Sequence, residues 1–275
     1  MVRATRATRA KHKTLKAHAD AAALKLNDLI MGTDMTVTAL DVVLADLDGW
    51  QEPIVTKIPS NEGRVIEISR SISEVGAILE EQKQYKQYEK SLVFAVTQAE
   101  DHVTSCIRIV LRAYPDRLIR GPKGGTSGKP VSLGELIKAG SKESLINSIT
   151  EERIDSVIRK QPSEYLEYLG HVIEGRLSNE VVNRFCEVCA TRDLIVHTQG
   201  KITVEYLVKA AGLARGKVGD LVRVDEKYFQ SSMGTIKDVY AEIYDIMQNK
   251  YSEDKNVASA LSMIALWGTG TGFVS

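Results

Sequence analysis

Apolar residues recur at helical spacing along most of this chain. Residues 10–31 carry alanines together with Leu24, Leu26, Leu29 and Ile30, a helix that Gly32 is expected to end. Val37, Leu40, Val43, Leu44 and Leu47 repeat the period until Asp48-Gly49 stops it. Ile54-Val55 and Val65-Ile66-Glu67-Ile68, bounded by Pro53, Pro59 and Gly63, read as short strands. From Ser73 the helical signal is strong. Val75, Ile78, Leu79, Tyr85, Leu92, Val93, Val96, Val103, Ile107, Val110 and Leu111 form one run. Tyr114-Pro115 ends it, because a residue before proline is pushed out of the helical region. The run is too long for a typical single helix, which places a break near residues 82–89.

The second half continues in the same way. Helices are expected near 132–139, 142–160 and 162–176. Leu145, Ile146, Ile149, Ile154, Val157 and Ile158 stripe the second of them. Pro162 starts the third, where a missing N–H does little harm. Ser178 is placed to cap the next helix, which carries Val181, Val182, Phe185, Val188, Leu194, Ile195 and Val196, and Gly200 is its natural stop. Further helices span about 203–212 and 234–250, the latter with Ile236, Val239, Ile243, Ile246 and Met247. The tail from Ser252 has apolar residues but ends in alternating glycine and threonine, and the pattern assigns it no element. No internal repeat is visible. The fold class is all-α, a helical bundle with a few short strands near 54–68.

Composition narrows the function classes. Thirty-six basic residues balance 36 acidic ones, so overall charge does not draw the chain to nucleic acid or to an anionic membrane. Any RNA contact must come from a local patch. Three cysteines, one necessarily unpaired, do not make a secreted disulfide framework. No stretch of about 18 apolar residues exists, so no membrane contact is expected and the location is cytoplasmic by default. The start is basic, with no acid before Asp20. It suits a flexible arm, with a mitochondrial targeting peptide as the alternative. Gly121 to Pro130 is glycine-rich but fails the phosphate-loop spacing, since Pro130 stands where a magnesium-binding hydroxyl belongs. It reads as an exposed connection.

Candidate chemistry concentrates at the end of the helix over 178–198. Val182, Phe185, Cys189 and Val196 are spaced to face the core, while Cys186, Ala190, Asp193 and His197 form a second stripe. Asp193 and His197 are four apart and therefore adjacent, so the carboxylate is expected to hold one ring nitrogen of the histidine. Arg192 and His197 are five apart, about 7.5 Å along an ideal axis and about 140° around it. They do not share a face, and a two-fold partner could close the gap. Arginine is a rigid, always charged phosphate fork, and histidine takes and gives protons near neutral pH.

Arg192-Asp193 followed four residues later by His197, with the flank Leu194-Ile195-Val196, then Gly200 and Tyr206-Leu207, resembles the HEPN superfamily and its larger bacterial members. The earlier helix end, Glu100 to Leu111-Arg112-Ala113-Tyr114-Pro115, adds to the resemblance, which covers roughly residues 85–250. It leaves residues 1–31 as a basic arm and helix, 32–84 as an extension, and 251–275 as a tail. The chain departs from the nucleotidyltransferase-partnered toxins of the superfamily, which carry a tyrosine two residues after the histidine, because Gln199 stands there. The resemblance implies a helical homodimer that cleaves RNA without a metal or cofactor. Arg192 and His197 of both subunits would meet in a cleft, Asp193 would orient His197 or contact the ribose, and the product would end in a 2′,3′-cyclic phosphate. Phage defence or a toxin–antitoxin system, with an antitoxin or regulatory protein as partner, is the setting it implies.

Blander readings stand beside these. Arg192 and Asp193 could be solvated residues of a helix end, with His197 on the helix dipole, and some superfamily members are non-catalytic. The alternative is therefore a helical RNA-binding or protein-binding module. Cys186-x-x-Cys189 lacks a second ligand pair and reads as buried small hydrophobes, although Cys106, His102 or His171 could complete a zinc set. Arg112, Arg117, Arg120 and Lys123 form a basic group that could bind RNA, as could Arg3, Arg6, Arg9, Lys11, His12, Lys13 and Lys16, although such runs are usually solvated faces. Tyr165 and Tyr168 are expected to pack rather than stack on bases.

Overall fold

The computed structural model describes residues 2–61, 63–119, 134, 139–210 and 212–268, with side chains between residues 15 and 262. Along the chain the elements are α1 (Val2–Asp46), a 3-10 turn (Leu47–Gly49), β1 (Ile54–Pro59), β2 (Val65–Arg70) and α2 (Ile72–Glu81). A π-helical turn (Gln82–Lys86) leads into α3 (Gln87–Ala113) and a 3-10 turn (Pro115–Leu118). Then come α4 (Lys142–Ile158), α5 (Pro162–Ile173), α6 (Asn179–Thr198), α7 (Val204–Lys209), α8 (Glu226–Tyr251) and α9 (Lys255–Gly268). The fold is mostly all-α, and β1 and β2 form one small antiparallel sheet in which Ile54 faces Arg70.

The 27-residue α3 is the central pillar, with α1, α4, α5, α6, α8 and α9 all packing on it. Its sequence explains the position. Leu92, Ala95, Val96, Ala99, Val103, Ile107 and Val110 repeat at three and four, and Cys106, Ile109 and Leu111 widen the buried band. A buried band this wide puts the helix in the middle of the bundle, while Lys90 and Asp101 still reach solvent. The break expected near 82–89 is a π turn, whose extra residue shifts the buried face without ending the rod.

Other local signals act as their chemistry requires. Ser71 and Glu74 form a reciprocal capping box at α2. Pro162 opens α5. Ser178 caps α6 by accepting from the Val181 N–H, and both its own N–H and its hydroxyl donate to Glu242 of α8 at 2.7 Å. The cap therefore also fixes where α6 starts against α8.

Several boundaries differ from the sequence pattern. Gly32 does not end a helix, because α1 runs through it to Asp46. Leu26 and Thr33, on either side of that glycine, are buried against the bundle. The Thr33 hydroxyl donates to the Leu29 carbonyl at 2.7 Å and meets the Ser91 hydroxyl of α3 at the same distance. Such contacts outweigh the roughly 1 kcal/mol that a mid-helix glycine costs. The basic start belongs to the same helix rather than to a flexible arm. α8 begins eight residues before the expected 234, capped by Asp225, and the tail forms α9. α7 is shorter than expected. The glycine-rich stretch 121–130 and the helix expected near 132–139 lie largely outside the described residues. No described helix is long and apolar enough to cross a membrane.

Candidate functional site

α6 buries Val181, Phe185, Val188, Cys189 and Leu194. Phe185 alone stabilises the fold by about 2–3 kcal/mol on area grounds. Val196, expected on that face, is instead 52% exposed. The small residues of the second stripe let another element come close, as expected. Ala190 and Leu194 pack with Ile202, Tyr206, Ala210 and Val222 in a satellite core beneath α7.

The helix ends abruptly at Thr198, one residue after His197. Gln199 and Gly200 both take positive φ, 54° and 85°, and the Gly200 N–H donates to the Leu194 carbonyl at 2.9 Å. A side chain at position 200 would press its Cβ to 2.4 Å from the Val222 carbonyl oxygen, so glycine is required twice over. The reversal leaves the last turn of α6 at the surface, and His197 is exposed there.

The polar residues of this end pair differently from the sequence expectation. Asp193 does not hold His197. Its Oδ2 accepts from the Lys209 ammonium of α7 at 3.2 Å, and its Oδ1 lies 3.1 Å from the Arg192 Nε, a charge contact outside hydrogen-bond alignment. Two side chains that always carry full charge, Arg192 and Lys209, take up that carboxylate instead. Lys209 also reaches Glu205 at 2.7 Å. The Arg192 Nη2 donates to Glu100 of α3 at 2.8 Å, with side chains only 22% and 20% exposed. Burial pushes the Glu100 carboxyl above the usual carboxylate range, and the guanidinium charge pulls against that shift. Among the described residues the His197 ring makes no hydrogen bond. It sits near enough to Glu205 to act on that carboxylate electrostatically. Val196 next to it and Val204 and Val208 of α7 are exposed, the last two at 66% and 77%.

One turn and a half earlier on α6 lies a second polar cluster. Glu187 is buried and accepts three hydroxyls: Thr191 at 2.7 Å, Tyr206 at 3.0 Å and Tyr228 at 2.7 Å. The Tyr206 oxygen in turn accepts the Arg215 N–H at 3.1 Å, and the Arg215 guanidinium lies 3.6 Å over the Tyr228 ring. Burial raises both phenols above their ordinary range, so both remain protonated donors at neutral pH. The cluster ties α6, α7 and the start of α8 together directly behind the candidate site.

The basic group expected to contact RNA is drawn inward. Arg112 pairs with Glu151, which Arg108 also clasps with two nitrogens. Arg117 donates to the Val172 carbonyl and to the Tyr251 hydroxyl, pairs with Glu174 and lies 4.5 Å over the Tyr114 ring. These two guanidiniums staple the bundle and do not form a phosphate-facing patch. Arg120 and Lys123 lie outside the described residues. Tyr165 and Tyr168 are buried, as expected, and so are Cys186 and Cys189.

Sequence reasoning missed the part played by three residues near the site. Glu100 entered the sequence reading only through the resemblance, and its place beside Ala99 and two turns before Ile107 gave no sign that it would hold Arg192. Glu187 had one signal, a lone carboxylate on a buried face, with Thr191 four residues on. Lys209 had none. Comparison with protein-family models, with curated proteins and with solved structures found no match.

Proposed function

We propose that the protein is a HEPN-type, metal-independent endoribonuclease that works as a homodimer. The observation that carries the reading is the exposed His197 imidazole at the end of α6, which makes no hydrogen bond among the described residues, with Val196 beside it and Val204 and Val208 of the neighbouring α7 also exposed. A histidine free to exchange protons suits general acid–base work, and exposed apolar side chains suit closure by a second copy. Arg192 and His197 do not share a helical face. Two subunits meeting across this end would bring two arginines and two histidines around one phosphodiester. One His197 takes the proton of the ribose 2′-hydroxyl, and the other gives a proton to the departing 5′-oxygen. Arg192 stabilises the added negative charge of the phosphorane. Asp193 and Glu100 position Arg192 rather than His197, and phage defence or toxin–antitoxin restraint is the setting.

A second reading, a non-catalytic module that binds RNA or a protein, is favoured by the engagement of Arg192. Its guanidinium already faces two carboxylates, and a phosphate must compete with both. Incubation with end-labelled single-stranded RNA in excess EDTA separates the two. The nuclease reading expects cuts that leave 2′,3′-cyclic phosphate ends. Intact RNA after exposure to folded protein supports the binding module.

A further inference from the structure

Away from α6, three side chains converge between α1 and α3. One ligand atom each from His18, His102 and Cys106 lies within 4.8 Å of the others. His102 and Cys106 are four apart on α3, and the Cys106 Sγ is 3.8 Å from the His102 Nε2. His18 comes from α1, its ring stacked on that of His102 at 5.4 Å between centroids. The Tyr240 ring of α8 closes the other side at 4.4 Å.

The polar accounting here is incomplete. The His18 Nε2 and the Tyr240 hydroxyl are buried and have no hydrogen-bond partner. Native folds rarely leave two such groups side by side. A neutral imidazole is already in its ligating form, and the thiol can be deprotonated by a metal. The sulfur–nitrogen separation on α3 suits an ion. Bonds of about 2.3 Å to sulfur and about 2.0–2.1 Å to nitrogen span a 3.8 Å separation at an angle of roughly 120°.

We propose that His18, His102 and Cys106 bind a zinc ion that clamps α1 to α3, with the Tyr240 hydroxyl or a water in the fourth position. Binding forms one Zn–S and two Zn–N bonds and releases the thiol proton to solvent. A soft thiolate with two imidazoles selects zinc over magnesium or calcium, which prefer oxygen. The role is structural. The clamp would hold α1 to α3 at His18. The sequence signal was half visible, since His102 and Cys106 share a face, but only the fold supplies His18. The inference does not depend on the nuclease reading.

The test uses the full chain, stripped by a chelator and then titrated with Zn2+ and, for spectroscopy, Co2+. The expected result is one ion per chain, a thiolate-to-cobalt charge-transfer band, and a higher unfolding temperature with Zn2+. Cys106→Ser is expected to remove the band, and His18→Gln, on the more exposed helix, to weaken binding by about a hundredfold or more. Cys186→Ser is expected to keep the band. Folded wild-type protein that binds no stoichiometric ion overturns the proposal. So does a band that survives Cys106→Ser or vanishes with Cys186→Ser.

Discussion

His197→Ala is expected to lower the rate of RNA cleavage by about 10²–10⁴-fold while leaving the unfolding midpoint unchanged. The first half follows from the chemistry. The proposed mechanism assigns to the imidazole both the removal of the 2′-hydroxyl proton and the return of one to the leaving oxygen. The second half follows from the surroundings. The ring is exposed and supports no hydrogen bond among the described residues, so its loss strands no partner. Arg192→Ala makes the contrast. It too is expected to abolish cleavage, but it leaves Glu100 four-fifths buried without its cation and destabilises the fold by about 1–3 kcal/mol. Rates and urea midpoints measured on both variants separate the two roles. A His197→Ala protein that cuts at the wild-type rate places the chemistry elsewhere.

Glu187→Ala is expected to cost about 3–5 kcal/mol of stability, the largest single loss around the site. The carboxylate is the common acceptor for the Thr191, Tyr206 and Tyr228 hydroxyls, and all three lie where water does not readily replace it. Burial keeps the phenols protonated, so they cannot relieve the loss by ionising. The damage spreads, because Tyr228 also carries the Arg215 guanidinium and Tyr206 accepts from the Arg215 backbone. Glu187→Gln keeps one acceptor oxygen and is expected to cost about 1–2 kcal/mol. Urea unfolding of both variants gives the comparison. A loss under about 1 kcal/mol for Glu187→Ala would mean that the hydroxyls find other partners.

Much of the fold was legible because its signals are local. Periodicity located α3, α4 and α6, Ser178 and Pro162 marked helix starts, Gly200 marked a stop, and prolines with glycine framed β1 and β2. What was not legible is set by distant partners. Gly32 reads as a stop until Thr33 is seen against Ser91, 58 residues away in sequence. Asp193 points to His197 by spacing, but Lys209 on α7 is the stronger partner. Arg192 looks free on its helix and is held by Glu100, 92 residues earlier. Arg112 and Arg117 read as a surface basic group because sequence does not reveal that Glu151, Glu174 and two tyrosines await them. Charged residues choose partners through the tertiary fold, whereas apolar periodicity needs only the helix itself.

The most direct test of the metal-free reading is cleavage, in EDTA, of an end-labelled RNA bearing a single 2′-deoxynucleotide on the 5′ side of a mapped cut. His197 chemistry needs that hydroxyl as the attacking group. The account predicts that the cut disappears at the substituted position and persists elsewhere, with 2′,3′-cyclic phosphate ends. Cleavage at the substituted position with unchanged rate, or cleavage that requires added Mg2+, would contradict it.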